Sequence, residues 1–166
     1  EKGIDVNIQR EQLIDGEKIS TTLLKEFVKS GDFIKYKQYA GRYYSIDGLV
    51  IKGRQLGRTI NFPTANLQLS EKYLLPETNG VFITKIKVRD KIYKSITNIG
   101  YNPTVSNEQN KKFIETHILD FDDDIYGEKI EIYFYEFLRS EQKFESFGHL
   151  KEQLKKDKKA CENKKI

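Results

Sequence analysis

A proline-locked bend, Gly57-Arg58-Thr59-Ile60-Asn61-Phe62-Pro63-Thr64-Ala65-Asn66-Leu67, gathers a glycine, a cation and two small oxygen-bearing side chains into one short segment. Pro63 fixes its own φ, carries no N–H and pushes Phe62 towards extended geometry. Thr64 and Asn66 stand two apart, so in an extended segment they project to the same side. A hydroxyl and an amide oxygen so placed can cradle a hard divalent ion that keeps most of its water. Just upstream, Gly53-Arg54-Gln55-Leu56-Gly57-Arg58-Thr59 has the composition of a phosphate cradle, because glycines admit close backbone approach and successive N–H groups make an anion-binding concavity. It is not a Walker A loop, since three residues rather than four separate the glycines and Arg58 follows where that motif has lysine. Each segment taken alone is more often a surface turn; their adjacency favours the phosphate reading.

Glu115 is the candidate for acid–base work. In an extended run Phe113, Glu115, His117, Leu119 and Phe121 share one face, with Ile114, Thr116, Ile118 and Asp120 on the other. A carboxylate among apolar residues on a barrel face is either a satisfied polar group or a site residue. In a kinase such a group accepts a substrate hydroxyl proton. His117 could ligate a metal, but a single histidine more often makes a structural hydrogen bond. Asp120 with Asp122-Asp123-Asp124 lacks the glycine and spaced glutamate of a calcium loop and reads as a solvated turn. Ten tyrosines and ten phenylalanines suit a stacked planar ligand and equally suit a barrel core.

These residues need a scaffold. A chain of 166 residues, 37% hydrophobic with three prolines, has room for one domain and a modest appendage. Lys+Arg 29 against Asp+Glu 25 leaves a net charge of +4, which suits an anionic ligand as well as a nucleic acid. Cys161 is the only cysteine, so no intrachain disulfide or cysteine-based zinc site forms, and a reducing, cytoplasmic setting is expected. No secretory signal pattern opens the chain, and nothing approaches the roughly 18 consecutive apolar residues of a membrane span. The absence of any methionine, including at position 1, suggests a piece of something longer.

Residues 1–42 read as helical. Hydroxyl caps at Ser20 to Thr22 precede an apolar stripe at Leu23, Leu24, Phe27 and Val28 that Gly31 closes, and Asp32 can cap a second helix closed by Gly41. This pair is too small for its own core and must pack on something. From 43 to 166 the texture is strands: Ile46 to Lys52, Val81 to Val88, Ile92 to Ile99, Phe113 to Asp120 and Ile130 to Leu138. Arg89-Asp90-Lys91 reads as a hairpin link. Strands in series with no helices between them predict an antiparallel sheet closed into a barrel. Helical spacing returns at Phe147, Leu150 and Leu154, a helix in which His149 reads as packing or surface, and Lys155 to Lys165 reads as a solvated, fraying tail.

The order of motifs resembles the riboflavin kinase family. The blocks are Gly48-x-Val50-x-x-Gly53; Gly57-Arg58-x-x-x-Phe62-Pro63-Thr64-Ala65-Asn66-Leu67; Leu75-Pro76 with Gly80-Val81-Phe82; and Asn98-Ile99-Gly100-x-x-Pro103-Thr104. They continue with Glu115-Thr116-His117-Ile118-Leu119-Asp120-Phe121, Asp124-x-Tyr126-Gly127 and Leu138-Arg139-x-Glu141-x-Lys143-Phe144. The resemblance covers about Tyr43 to Asp157. It implies an all-β, six-stranded antiparallel Greek-key barrel with a C-terminal helix, behind a short helical N-terminal segment. It implies phosphorylation of riboflavin to FMN with ATP and Mg²⁺. Glu115 would be the general base, and Thr64 and Asn66 would hold the metal and the nucleotide phosphates. Gly53 and Arg58 would line the phosphate loop, with Tyr126 near the nucleoside. Arg139, Gln142, Phe144 and Thr104 would lie by the flavin.

Two departures stand out from that pattern. Asn61 replaces the usual glycine before Phe-Pro-Thr-Ala-Asn; asparagine is the side chain that best tolerates left-handed geometry after glycine. Tyr101-Asn102 stands where many bacterial members have a basic residue. In bacterial bifunctional members the kinase follows an FMN adenylyltransferase domain ending in Ile-Ser-Ser-Thr-x-x-Arg, close to Ile19-Ser20-Thr21-Thr22-Leu23-Leu24-Lys25. The helical segment is therefore expected to be the end of such a domain, with no adenylyltransferase activity in this piece. Two other classes compete. A nucleic-acid-binding barrel would use Lys85, Lys87, Lys91 and Lys94 between aromatics but leaves Pro-Thr-Ala-Asn and Glu115 unexplained. A flavin-binding remnant without turnover would tolerate loss of Thr64 or Glu115, and both are present. Neither a nucleic acid nor a membrane is an expected partner.

Overall fold

A computed structural model of the chain describes residues 13–53, 55, 57, 60–101 and 112–166. A short hairpin, β1 (Leu13–Ile14) and β2 (Glu17–Lys18), leads into α1 (Thr21–Ser30) and α2 (Phe33–Ala40). The caps are those expected: Ser20 Oγ accepts from Leu23 N–H, Gly31 ends α1 at φ 76°, Asp32 caps α2 and Gly41 ends it at φ 71°. Six strands follow: β3 (Tyr44–Ile51), β4 (Ala65–Leu69), β5 (Gly80–Val88), β6 (Lys91–Tyr101), β7 (Lys112–Ile118) and β8 (Lys129–Ser140). They close a barrel in the order β3-β4-β7-β6-β5-β8, every pair antiparallel.

Two layers of apolar packing hold it. Inside the barrel, Ile46, Val50, Ile86, Ile99, Ile114, Ile130 and Ile132 meet Phe82 and Phe134. The helical pair plugs this core, for Phe33 is 1% exposed and stacks on Phe134 at 4.6 Å between ring centroids. Buried hydroxyls of Ser95, Thr84, Thr97 and Thr116 form a chain with steps of 2.8, 2.8 and 2.9 Å, so the interior polar groups satisfy one another. On the outer face Val81, Ile83, Ile96, Leu119 and Cys161 make a second cluster under α3 (Phe147–Asn163).

The structure departs from the sequence reading in three places. β4 is a strand that periodicity alone did not single out, because its five residues sit directly after a proline turn. The β1–β2 hairpin was not anticipated. The lysine-rich tail does not fray: α3 runs to Asn163, with Asp157 and Cys161 buried against the barrel. Lys94 Nζ helps seat its end, donating to Glu162 O at 2.8 Å and Lys164 O at 2.7 Å.

Candidate active site

Strand register lays the site out as a row. Asn66 pairs with Glu115 between β4 and β7, Glu115 with Asn98 between β7 and β6, Asn98 with Val81 between β6 and β5, and Val81 with Arg139 between β5 and β8. Directly opposed residues share a face. The buried residues flanking Asn66, Glu115 and Asn98 point inward, so this row lies on the outside of the barrel.

The turn ahead of β4 is built for one conformation. Asn61 adopts φ 60°, the left-handed geometry anticipated for it, and Phe62 N–H donates to Gly57 O at 2.8 Å. A Cβ on Gly57 would stand 2.1 Å from Phe62 O, so no other residue fits without shifting the backbone. A Cβ on Gly53 would stand 2.2 Å from Asn66 Nδ2; the glycine therefore makes the space that the Asn66 amide occupies. His117, one face-step along β7 from Glu115, holds the turn from the other side. Its Nδ1 donates to Pro63 O at 2.9 Å, and its ring lies 5.0 Å from that of Phe62. Burial lowers its pKa, keeping the imidazole neutral near pH 7.

Two clefts meet at this turn. The first, about 830 Å³, is lined by Asn61 to Ala65, His117, Asp120, Asp122 to Tyr126 and Lys158. The second, about 580 Å³, is lined by Gly57, Phe62, Thr64, Asn98, Glu115, His117, Arg139, Gln142 and Phe144, with Phe147, Leu150, Leu154 and Asp157 from α3. Phe62, Thr64 and His117 border both. The wall of the first cleft is fixed by an Asx turn, Tyr126 N–H to Asp124 Oδ1 at 3.0 Å. It is also fixed by Arg89, which reaches Glu128 at 2.6 Å and Asp123 at 3.2 Å.

Of the residues named from sequence, Glu115, Arg139, Gln142 and Phe144 converge on the second cleft, Tyr126 lines the first, and Thr64 stands at the junction. Gly53 and Asn66 line neither cleft; they pack on each other, with Asn66 beside Glu115 in the strand register. Arg58 and Thr104 lie outside the described residues. Sequence reasoning missed Asp157 and Lys158, while the structural hydrogen bond favoured for His117 is the one it makes to Pro63 O. A signal for the first existed, since Leu150, Leu154, Asp157 and Cys161 recur at spacings of 4, 3 and 4, one stripe of a helix. The lysines around Asp157 masked it.

Among the described residues no three His, Cys, Asp or Glu side chains group to hold a metal. Thr64 at the junction of the clefts and Asn66 on β4 offer a hydroxyl and an amide oxygen, neutral donors of the kind that suit a hard ion otherwise bound by water and ligand phosphates.

The chain is a closed antiparallel barrel in which a proline turn separates two clefts. The family model described as Flavokinase, riboflavin kinase, matches residues 40–165, and the chain belongs to the riboflavin kinase family. Among curated proteins, the Bacillus subtilis bifunctional riboflavin kinase/FMN adenylyltransferase is 39% identical over 143 residues, 86% of this chain and 45% of the relative. The Listeria monocytogenes protein of the same description is 40% identical over 153 residues, 92% of this chain and 48% of that one. This chain thus spans about half the length of the curated relatives it matches. A solved Streptococcus pneumoniae chain described as a macrolide-efflux protein superposes with TM-score 0.87 at 30% identity, over 93% of this chain and 50% of that chain. Riboflavin kinase from Trypanosoma brucei, at 24% identity and TM-score 0.52 over 74% of this chain and 79% of that chain, shares the fold.

Proposed function

We propose that this chain transfers the γ-phosphoryl group of MgATP to the 5′-hydroxyl of riboflavin, giving FMN and ADP. The single observation carrying this reading is that Thr64 borders both clefts while Glu115 faces the second. Family membership supplies the substrates, riboflavin and ATP. ATP takes the first cleft, its nucleoside towards Tyr126 and its phosphates towards Thr64. Riboflavin takes the second, its ring among Phe144, Gln142 and Arg139 and its ribityl chain running to Glu115.

Glu115 accepts the proton of the 5′-hydroxyl as its oxygen bonds to the γ-phosphorus; the bond from that phosphorus to the β–γ bridging oxygen breaks, and ADP leaves with the electron pair. Thr64 and Asn66 would hold the Mg²⁺ that arrives with ATP, and that ion would supply neutralisation of the phosphate charge. His117, through Pro63 O, keeps the Thr64 turn in register with the strand that carries Glu115. Positioning supplies most of the acceleration in such a transfer. The helical pair is the junction with an upstream adenylyltransferase domain of the kind that its relatives' names record, and the setting is cytoplasmic.

The two-cleft reading is tested by riboflavin fluorescence quenching with and without MgADP. Saturable quenching that MgADP leaves intact or strengthens is the expected outcome. Displacement of riboflavin by the nucleotide, or no quenching at all, would overturn it.

A further inference from the structure

Arg139 does not face the second cleft alone. Its Nε lies 3.0 Å from both carboxylate oxygens of Asp157 in α3, its Nη2 donates to Oδ2 at 2.7 Å, and its Nη1 donates to Ser140 O at 3.0 Å. The pair is largely dry, with side-chain exposures of 14% and 3%. Gln153 Nε2, one turn earlier on the helix, donates to Asp157 Oδ1 at 2.8 Å and completes the carboxylate's shell. Of the five guanidinium N–H groups, Nε–H, one on Nη1 and one on Nη2 are engaged among the described residues, leaving two. Both cleft-lining residues are thus locked in one plane.

A buried ion pair contributes little to stability compared with an apolar pair of the same shape. What it supplies is orientation, and it cancels the arginine's charge beside a cleft that sets Val81, Ile96, Phe144, Phe147, Leu150 and Leu154 next to the charged Glu115, Glu141 and Lys143. Such a cleft suits a neutral planar ring with polar edges better than an anion. We propose that Asp157 is a positioning residue for substrate binding: it aims the free N–H groups of Arg139 at the ring of riboflavin, so that α3 is part of the binding site rather than a cover for the barrel. The inference rests on the reading of the second cleft as the flavin cleft.

The test is a double-mutant cycle on riboflavin affinity, read by fluorescence quenching, with kcat and KM measured alongside. Asp157→Asn should weaken riboflavin binding about tenfold and raise KM with it, leaving kcat at saturation and nucleotide affinity within about twofold of wild type. In an Arg139→Met background, Asp157→Asn should change riboflavin affinity no further, because the residue it positions is gone; the apolar pair Arg139→Met with Asp157→Leu keeps the fold if these variants are unstable. Wild-type affinity in Asp157→Asn, or a further loss of equal size in the Arg139→Met background, would overturn the role given to Asp157. A wild-type chain that quenches no riboflavin would instead remove the functional reading on which it rests.

Discussion

Asn66 of β4 and Glu115 of β7 are direct register partners on the outer face of the barrel, and the next residue in the row is Asn98 of β6. The residue proposed to hold the nucleotide's metal thus stands beside the residue proposed to activate the acceptor, on adjacent strands of a closed sheet. Glu115→Gln keeps size and hydrogen bonding but removes the base. Turnover should fall by about 10²–10⁴, with riboflavin and nucleotide affinities largely kept. An unchanged kcat would take Glu115 out of that role.

Thr64→Val is close to isosteric and removes the hydroxyl at the junction of the clefts. Metal-dependent ATP binding should weaken, while riboflavin binding in the absence of nucleotide should hold. Isothermal titration with MgATP decides it, and normal affinity would move the metal site elsewhere.

The turn carrying Thr64 depends on Asn61 at φ 60°. Asn61→Gly should preserve both activity and stability. Asn61→Val should cost about 1–3 kcal/mol, since a β-branched residue is strained in the left-handed region. Thermal melts of the two variants give the comparison.

His117 is held neutral by burial, with its pKa below the ordinary value near 6.5. Around and below that pH the unfolded chain binds more protons than the native one, so the histidine's contribution is present above pH 6.5 and is lost as pH falls. Between pH 8 and pH 5 the melting temperature of the wild type should fall more steeply than that of His117→Gln. Parallel slopes would show that His117 does not titrate against folding.

The helical pair shares the barrel's core through Phe33, Val28 and Tyr36. Phe33→Ala should cost about 3–5 kcal/mol, and removing residues 13–42 should destabilise the barrel by exposing Phe82 and Phe134. Denaturant titration of both measures the effect.

Much of this was legible before the coordinates. Helix caps at Ser20 and Asp32 are local signals, and strands rich in isoleucine report their own burial, so five of the barrel strands and both N-terminal helices could be read off. Motif order carried the site residues that line the clefts. What could not be read depends on distance along the chain. Asp157 finds Arg139 across 18 residues and His117 finds Pro63 across 54, pairings that only the closed barrel creates. β4 is short because the proline turn ends just before it, so periodicity had too few residues to register. The alternation around Glu115 was clear, but not which side of it faces the barrel interior. Lys94, one of the basic residues that a nucleic-acid surface would have used, instead binds the carbonyls at the end of α3.

The central claim is phosphoryl transfer to riboflavin where the two clefts meet. The most direct measurement incubates the purified chain with riboflavin, ATP and Mg²⁺ and separates the flavins by chromatography. The account predicts FMN that accumulates with time and stops on addition of EDTA. Bound riboflavin with no FMN formed would contradict it.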